Sequence, residues 1–299
     1  MPLVLWLCHR YKISARPALR LDTITCRYWL QFKTSADKKH IRFQCETFWA
    51  AFYDSRQSVR DYRGRGARQA RRFARAGYRV AMLARSAPRL QQLQQLQQEI
   101  AGSEAYVCDV ADLGALAATI DNIRAALGKP SVLIHTAVSE TFATFLDADP
   151  GALERNFRVN TTALLHLARA LAPDMIAAGG GAIVVTGNTA SLRGVPNYAL
   201  FAPSKAAQRI LAQSLARDLG PKRVHVGYVM IDAAIDAPWL GERGRTRPAW
   251  VEPPAGWAFS RDEYFAQPAA IADEVFHIAH QHPSTWSFDH TIRPFAETW

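Results

Sequence analysis

The sequence predicts an α/β protein in which one doubly wound parallel sheet carries helices on both faces. Three observations carry that expectation. Short apolar runs alternate with Ala/Leu-rich helical stretches from Gly64 to the end of the chain. The runs are almost continuously apolar, as strands covered on both faces must be. Polar, chemistry-bearing residues follow directly on the strand ends, at His135-Thr136-Ala137-Val138, at Thr186 to Asn188 and at Asp232. Open parallel sheets bind ligands beyond the carboxyl ends of their strands. With 299 residues, 49% of them hydrophobic, the chain suffices for a sizeable core.

Taken in order, Ala67 to Ala76 reads as a helix, Gly77 as its stop and Tyr78 to Leu83 as a strand. The residues before it, Phe52 to Ser58, are too polar for a buried parallel strand, so the first βα unit reads as damaged. The run Val80 to Arg85 ends its strand on Arg85-Ser86. Leu90, Leu93, Leu96 and Ile100 recur at helical spacing through a Gln-rich stretch. Then follow strand Ala105 to Val110, helix Leu113 to Leu127, strand Ser131 to His135, helix Leu153 to Ala178, strand Ile183 to Thr186, helix Ser204 to Leu219 and strand Val224 to Ile231. A Pro/Gly/Arg/Trp-rich loop spans about 238–266. Pro268 to His280 reads as a last helix, and Ser284 to Ile292 as an edge strand.

Charge is uneven. Residues 1–85 carry 19 Lys and Arg against 5 Asp and Glu, and the rest carry 17 against 21. No nucleic-acid-binding motif accompanies the basic front, so nucleic acid is not an expected partner. Residues 1–60 lack the texture of the body and sustain neither period; they read as an atypical segment, disordered or mistranslated from a wrong start or a frameshift. The domain proper is expected over 61–299. No apolar run approaches the ~18 residues that cross a bilayer. The four cysteines form no C-x-x-C pair, which fits a reducing, cytoplasmic setting. His277, His280 and His282 have no carboxylate or cysteine to complete a metal set.

The block from Ala182 to Gln208 carries a resemblance. A strand ends in Thr186-Gly187-Asn188, and Phe201 stands thirteen residues after Asn188, with Lys205 four beyond. This resembles the active-site block of the short-chain dehydrogenase/reductases, which place Ser, Tyr and Lys at these positions. The resemblance implies a Rossmann-like fold, a nicotinamide cofactor, and assembly as a homodimer or homotetramer through the helices 153–178 and 204–219. It implies catalytic positions Asn160, Asn188, Phe201 and Lys205; Asn160 matches the helix Asn that holds a water linking the lysine to solvent. It places the cofactor against Gly64, Gly66, Arg85, Ser86, Asp109, Val110, Ala137, Lys205 and Ile235, and a substrate lid over 238–266. Arg85, just past the second strand, fits a 2′-phosphate, so NADP is expected and NAD less so.

The departures bear on chemistry. Phe201 has no ionisable group and performs no proton transfer, a loss that costs about 10²–10⁴-fold in rate. Asn188 retains a hydrogen-bond donor for a carbonyl or enolate oxygen, and Tyr198, three residues before Phe201, offers a displaced hydroxyl. Three readings stand: an NADP-dependent oxidoreductase acting on a small carbonyl or enone, a non-catalytic NADP-binding relative, and a chain whose cofactor site is lost through its altered front.

Overall fold

A computed structural model describes residues 47–51, 65–85, 98–236 and 261–296. The chain divides into two compact units, Met1–Arg42 and Phe43–Trp299, and all described residues belong to the second. That unit contains one seven-stranded sheet of order β3-β2-β1-β4-β5-β6-β7, with every pairing parallel.

β1 is Thr47–Ala51, ahead of the stretch 52–58 that reads as too polar for a strand, so the first strand expected to be damaged is present. The sequence TFWAA is short and almost wholly apolar, which suits a central strand paired on both edges. The body therefore begins ahead of the expected boundary at 60/61. α1 (Arg65–Arg75) leads to β2 (Arg79–Ala84) through Gly77, whose φ of 91° any side chain would resist. β3 (Ser103–Val107) starts and ends earlier than expected, so Asp109 and Val110 lie in the loop beyond it. Of the Gln-rich stretch, 86–97 lies outside the described residues, and Ile100 is buried.

α2 (Leu113–Leu127) is capped by Asp112, whose carboxylate accepts from the backbone N–H groups of Gly114 and Ala115. β4 (Pro130–His135) follows. The expected long helix 153–178 is two helices, α3 (Pro150–Phe157) and α4 (Ala163–Ala177), joined by a π turn at Arg158–Thr162. β5 (Gly181–Asn188), α5 (Ala202–Leu219) and β6 (Val224–Ile231) agree closely with expectation. α6 (Arg261–Tyr264) is a single turn, and α7 (Pro268–Ala279) is the last helix. Residues 284–292 are not one strand. A 3₁₀ turn, Pro283–Thr285, comes first, and only β7 (Asp289–Ile292) joins the sheet.

Period-2 alternation divides the core. Leu133, Ile183, Val185 and Val226 point to the face covered by α2, α4 and α5. Val132, Ile134, Val184 and Val229 point to the face with α1 and α7, where Phe73, Ile271 and Val275 meet them. Strand order reverses between β1 and β4, whose last residues are paired, Ala51 with His135. That is the topological switch point where such sheets form their crevice.

Gly187 lies where β5 meets β6. A Cβ there would fall 2.0 Å from the Tyr228 hydroxyl and 2.1 Å from the ring carbon bearing it. Tyr228 is wholly buried and has no room to retreat. Gly187→Ala is expected to lower stability by at least about 1–3 kcal/mol, read from the urea midpoint. Adding Tyr228→Phe is expected to leave most of the loss, because the ring carbon still clashes.

Candidate active site at the carboxyl edge of the sheet

Lys205 is in the first turn of α5 and is 2% exposed. Its Nζ lies 3.4 Å from the Thr186 carbonyl oxygen at the end of β5 and also donates to Gln208 Oε1. An ammonium this deep requires acceptors on the protein, and these two supply them.

Phe201, at the N-cap of α5, is equally buried. It packs with Ala190 and Ala202 under Val138 and Tyr198, and the Phe142 ring meets it edge-on at 5.5 Å. Thus the position expected to hold the catalytic acid is filled by packed hydrocarbon. Tyr198 is half-buried, its ring 6.1 Å from that of Phe201 and 4.9 Å from that of Phe142. Burial first, and then the charge of Glu140, push its phenol up from the usual value, so it remains an O–H donor through neutral pH.

Asn188 ends β5. Its backbone carbonyl accepts from Ser191 Oγ at 2.7 Å, while its side-chain Oδ1 is buried without a hydrogen-bond partner among the described residues. Thr186 Oγ1 and both ring nitrogens of His135 share that condition. Buried polar atoms are nearly always satisfied. His135 is sealed in the core, but the orphans at the end of β5 beside a lysine fit a ligand with several hydroxyls, such as a cofactor ribose.

Asn160 is fully buried in the π turn and makes three side-chain hydrogen bonds. Oδ1 accepts from the Ser139 N–H at 2.9 Å, and Nδ2 donates to the Ser139 carbonyl at 2.9 Å and to Ser204 Oγ at 2.8 Å. It therefore ties the exit of β4 to the start of α5. Asn156 Nδ2 (to the Leu200 carbonyl, 2.8 Å) and Thr161 Oγ1 (to the Ser204 carbonyl, 2.9 Å) add two more ties. The Asn160 carbonyl accepts from Gln208 Nε2 at 2.7 Å. Gln208 was not among the expected site residues; the signal was a polar residue one helical turn past the lysine, on the same face.

His135 points to the same sheet face as Leu133, toward Lys205 and the π turn. Burial, and then the Lys205 charge, push its imidazole down to about 3; the nearby Asn160 backbone opposes this. It is neutral at ordinary pH.

The expected cofactor positions fall along the same edge. Gly66 lies in the first turn of α1, and Arg85, half-buried, follows the end of β2. The Cys108 N–H donates to the Ala84 carbonyl at 2.9 Å, bringing the loop with Asp109 and Val110 beside that end. Asp109 Oδ1 accepts from the Ala111 N–H at 2.9 Å, whereas the helix cap is Asp112. Val110 and Ala137 are buried in the core. Ile235 bridges to Ala266, closing the base of the segment expected to be the lid. Gly64, Ser86 and 238–260 of that segment, with Trp239, Trp250 and Trp257, lie outside the described residues. A cavity of about 590 Å³ opens beside Tyr198, lined also by Phe145, Ser191, Leu192, Val195 and Ala202; neither Lys205 nor Asn188 lines it.

An all-parallel sheet with a buried lysine and unpartnered polar atoms at its switch edge is the setting in which open α/β sheets bind ligands. The family model described as enoyl-(acyl carrier protein) reductase matches residues 59–238. The chain belongs to the short-chain dehydrogenase/reductase family. D-erythrulose reductase of Gallus gallus is 34% identical over 158 residues, covering 52% of this chain and 61% of that protein. 2-Keto-3-deoxy-L-fuconate dehydrogenase of Xanthomonas campestris is 31% identical over 181 residues, covering 60% of this chain and 58% of that protein. The chain thus spans somewhat less than two thirds of these relatives. Among solved structures, a short-chain dehydrogenase from Rhodopseudomonas palustris has a TM-score of 0.64 at 26% identity, covering 83% of this chain and 99% of its own. A metagenomic short-chain oxidoreductase in complex with NADP has a TM-score of 0.65, also at 26% identity, covering 84% and 98%.

Removing the Asn160 side chain strips three buried hydrogen bonds. Asn160→Ala is expected to cost about 3 kcal/mol, at roughly 1 kcal/mol per bond, read by urea denaturation. His135 generates a pH effect. The folded state keeps it neutral to about 3, while the unfolded chain protonates it near 6.5. Its contribution is therefore intact above 6.5 and is lost as pH falls toward 3, at up to about 1.4 kcal/mol per unit. The stability of His135→Asn is expected to fall less steeply between pH 6.5 and 4 than that of the natural chain. Parallel slopes in the two proteins would count against the burial argument.

Proposed function

We propose that this chain is an NADP-dependent reductase of a conjugated carbonyl, an enone or enoyl group, in which hydrogen-bond donors replace the usual tyrosine acid. The observation that carries this is Phe201, buried and ring-packed where a proton donor would stand, beside a lysine that keeps its place. Ketone reduction yields an alkoxide, which needs a positioned acid. Hydride addition to a polarised C=C yields an enolate, which needs donors at its oxygen and takes its carbon proton more slowly from solvent. Asn188, and Tyr198 with its phenol held protonated, are suited to the first need.

The cofactor when bound supplies the hydride. Lys205 and the unpartnered acceptors at the end of β5 would hold its ribose, and Arg85 its 2′-phosphate. The NADP complex of the metagenomic relative supports that choice, and the name of the matching family model supports an enoyl substrate. The sugar reductases among the relatives favour a small polar carbonyl instead, and the experiment below separates the two. Exposed Leu165, Ile176 and Ile210 on α4 and α5 support a homodimer or homotetramer through those helices. No helix among the described residues is long and apolar enough to cross a membrane, and free Cys108 suits the cytoplasm. A second reading, a non-catalytic NADP binder, rests on the same Phe201.

Titration of the purified chain with NADPH and NADH comes first, with tighter NADPH binding expected and Arg85→Ala erasing the preference. NADPH oxidation is then followed with matched enone, ketone and ketose panels. Turnover is expected with enones, and Asn188→Ala is expected to lower it about 10²–10³-fold. Unchanged turnover in that variant removes the oxyanion role. Saturable binding with no turnover on any panel selects the non-catalytic reading, and no binding at all discards both.

A further inference from the structure

Lys205 and Gln208 lie one turn apart on the buried face of α5. Relative exposure is 2% for Lys205 and zero for Gln208 and Asn160. The Gln208 carboxamide spans the space between the other two. Its oxygen accepts from the Lys205 ammonium, and its NH₂ donates to the Asn160 carbonyl at 2.7 Å. The polarity is matched at both ends, with the negative end of the amide on the cation and the positive end on a carbonyl. The Asn160 side chain is committed to Ser139 and Ser204, so only its backbone oxygen faces Gln208.

We infer that Gln208 is the positioning residue of the site: it holds Lys205 as a fixed cation and closes, with a group that cannot ionise at ordinary pH, the link by which that ammonium would pass protons. The functional meaning rests on the proposed role of Lys205 toward the cofactor; the contact itself does not. The lysine then anchors and polarises but relays nothing. This agrees with Phe201, since without a tyrosine there is no proton for the lysine to resupply.

The ionisable residues on the elements around this bridge are neutral, paired or exposed. β5 contributes no ionisable residue, and His135 on β4 is neutral. Arg209, on the next turn, is paired with Asp289 at 2.5 Å. Glu154, Arg155 and Arg158 on α3 and the π turn are exposed.

The test reads Lys205 directly. Protein labelled with [ε-¹³C]lysine has seven lysine signals, and Lys205→Arg assigns the one of interest. Gln208→Met keeps the volume but removes the strong acceptor. The Lys205 signal of this variant is expected to titrate about one to two pH units lower than in the natural protein, the worth of a hydrogen bond to a charged group. Gln208→Glu, which sets a carboxylate against the ammonium, is expected to move the titration clearly above the natural value. It also serves as the deciding variant if the methionine form does not fold. An unmoved titration in the variant that folds overturns the proposal. A natural chain that fails to bind NADPH would sink the cofactor reading but leave this comparison, which needs no ligand, to decide the role of Gln208.

Discussion

The clamp made by Asn160 is the interaction on which the rest of the site depends. The π turn places an asparagine, rather than another leucine, against the sheet end, and its three hydrogen bonds reach two different parts of the chain. One part is the loop leaving β4, through both backbone groups of Ser139. The other is the first turn of α5, through Ser204, whose hydroxyl in turn donates to the Phe201 carbonyl at 2.8 Å. The placement of Phe201 and Lys205 is thus set by a residue more than forty positions earlier. A regular helix from 153 to 178 would carry the same asparagine without the local widening that marks π turns and recurs at functional sites.

The sheet supplies the other half of the geometry. Parallel pairing from β3 to β7 puts every carboxyl end on one edge. Alternation then sends neighbouring residues to opposite faces. Val185 joins the α5 side with His135, its partner in register, while Val184 packs toward α7. Because the two faces are filled by separate clusters, a polar group such as His135 has no route to water and stays neutral beneath the Lys205 cation. Beside the ends of β4 and β5 the Lys205 ammonium is thus held charged next to a neutral imidazole.

Much of this was legible in the sequence, for identifiable reasons. The boundaries of α2 and β6 are recovered to the residue, because one has a strong Asp cap and the other is an unbroken apolar run. β1 was missed, because counting back from Gly64 and Gly66 by the usual spacing lands on 52–58, and TFWAA lies beyond that count. The 284–292 strand was overcalled because Trp286 and Phe288 have strand-like character. Trp286 instead stacks on His225, its ring 4.8 Å away, and the sheet takes only the last four residues. The π turn has no sequence signature of its own. Gln208 was harder to read: its spacing puts it on the lysine's face of α5, but its importance arises from the Asn160 carbonyl across the helix interface.

What remains is how a site can lose its acid and keep its form. Phe201 retains the volume and packing of a tyrosine, so the Phe142–Tyr198–Phe201 cluster and the N-terminus of α5 need not rearrange. Only the hydroxyl is missing. A lysine whose task was to tune and resupply that hydroxyl would then be a buried charge with nothing to do, and buried charges are costly unless bound. In this chain it is bound on two sides, by the Thr186 carbonyl and by Gln208. The same neighbourhood keeps acceptors on Thr186 and Asn188 that no described residue satisfies. A structural core would gain by making such groups apolar. Retaining them next to a secured cation fits a surface that still receives a polar ligand, with the chemistry shifted to a step that needs charge and hydrogen bonds more than it needs a proton.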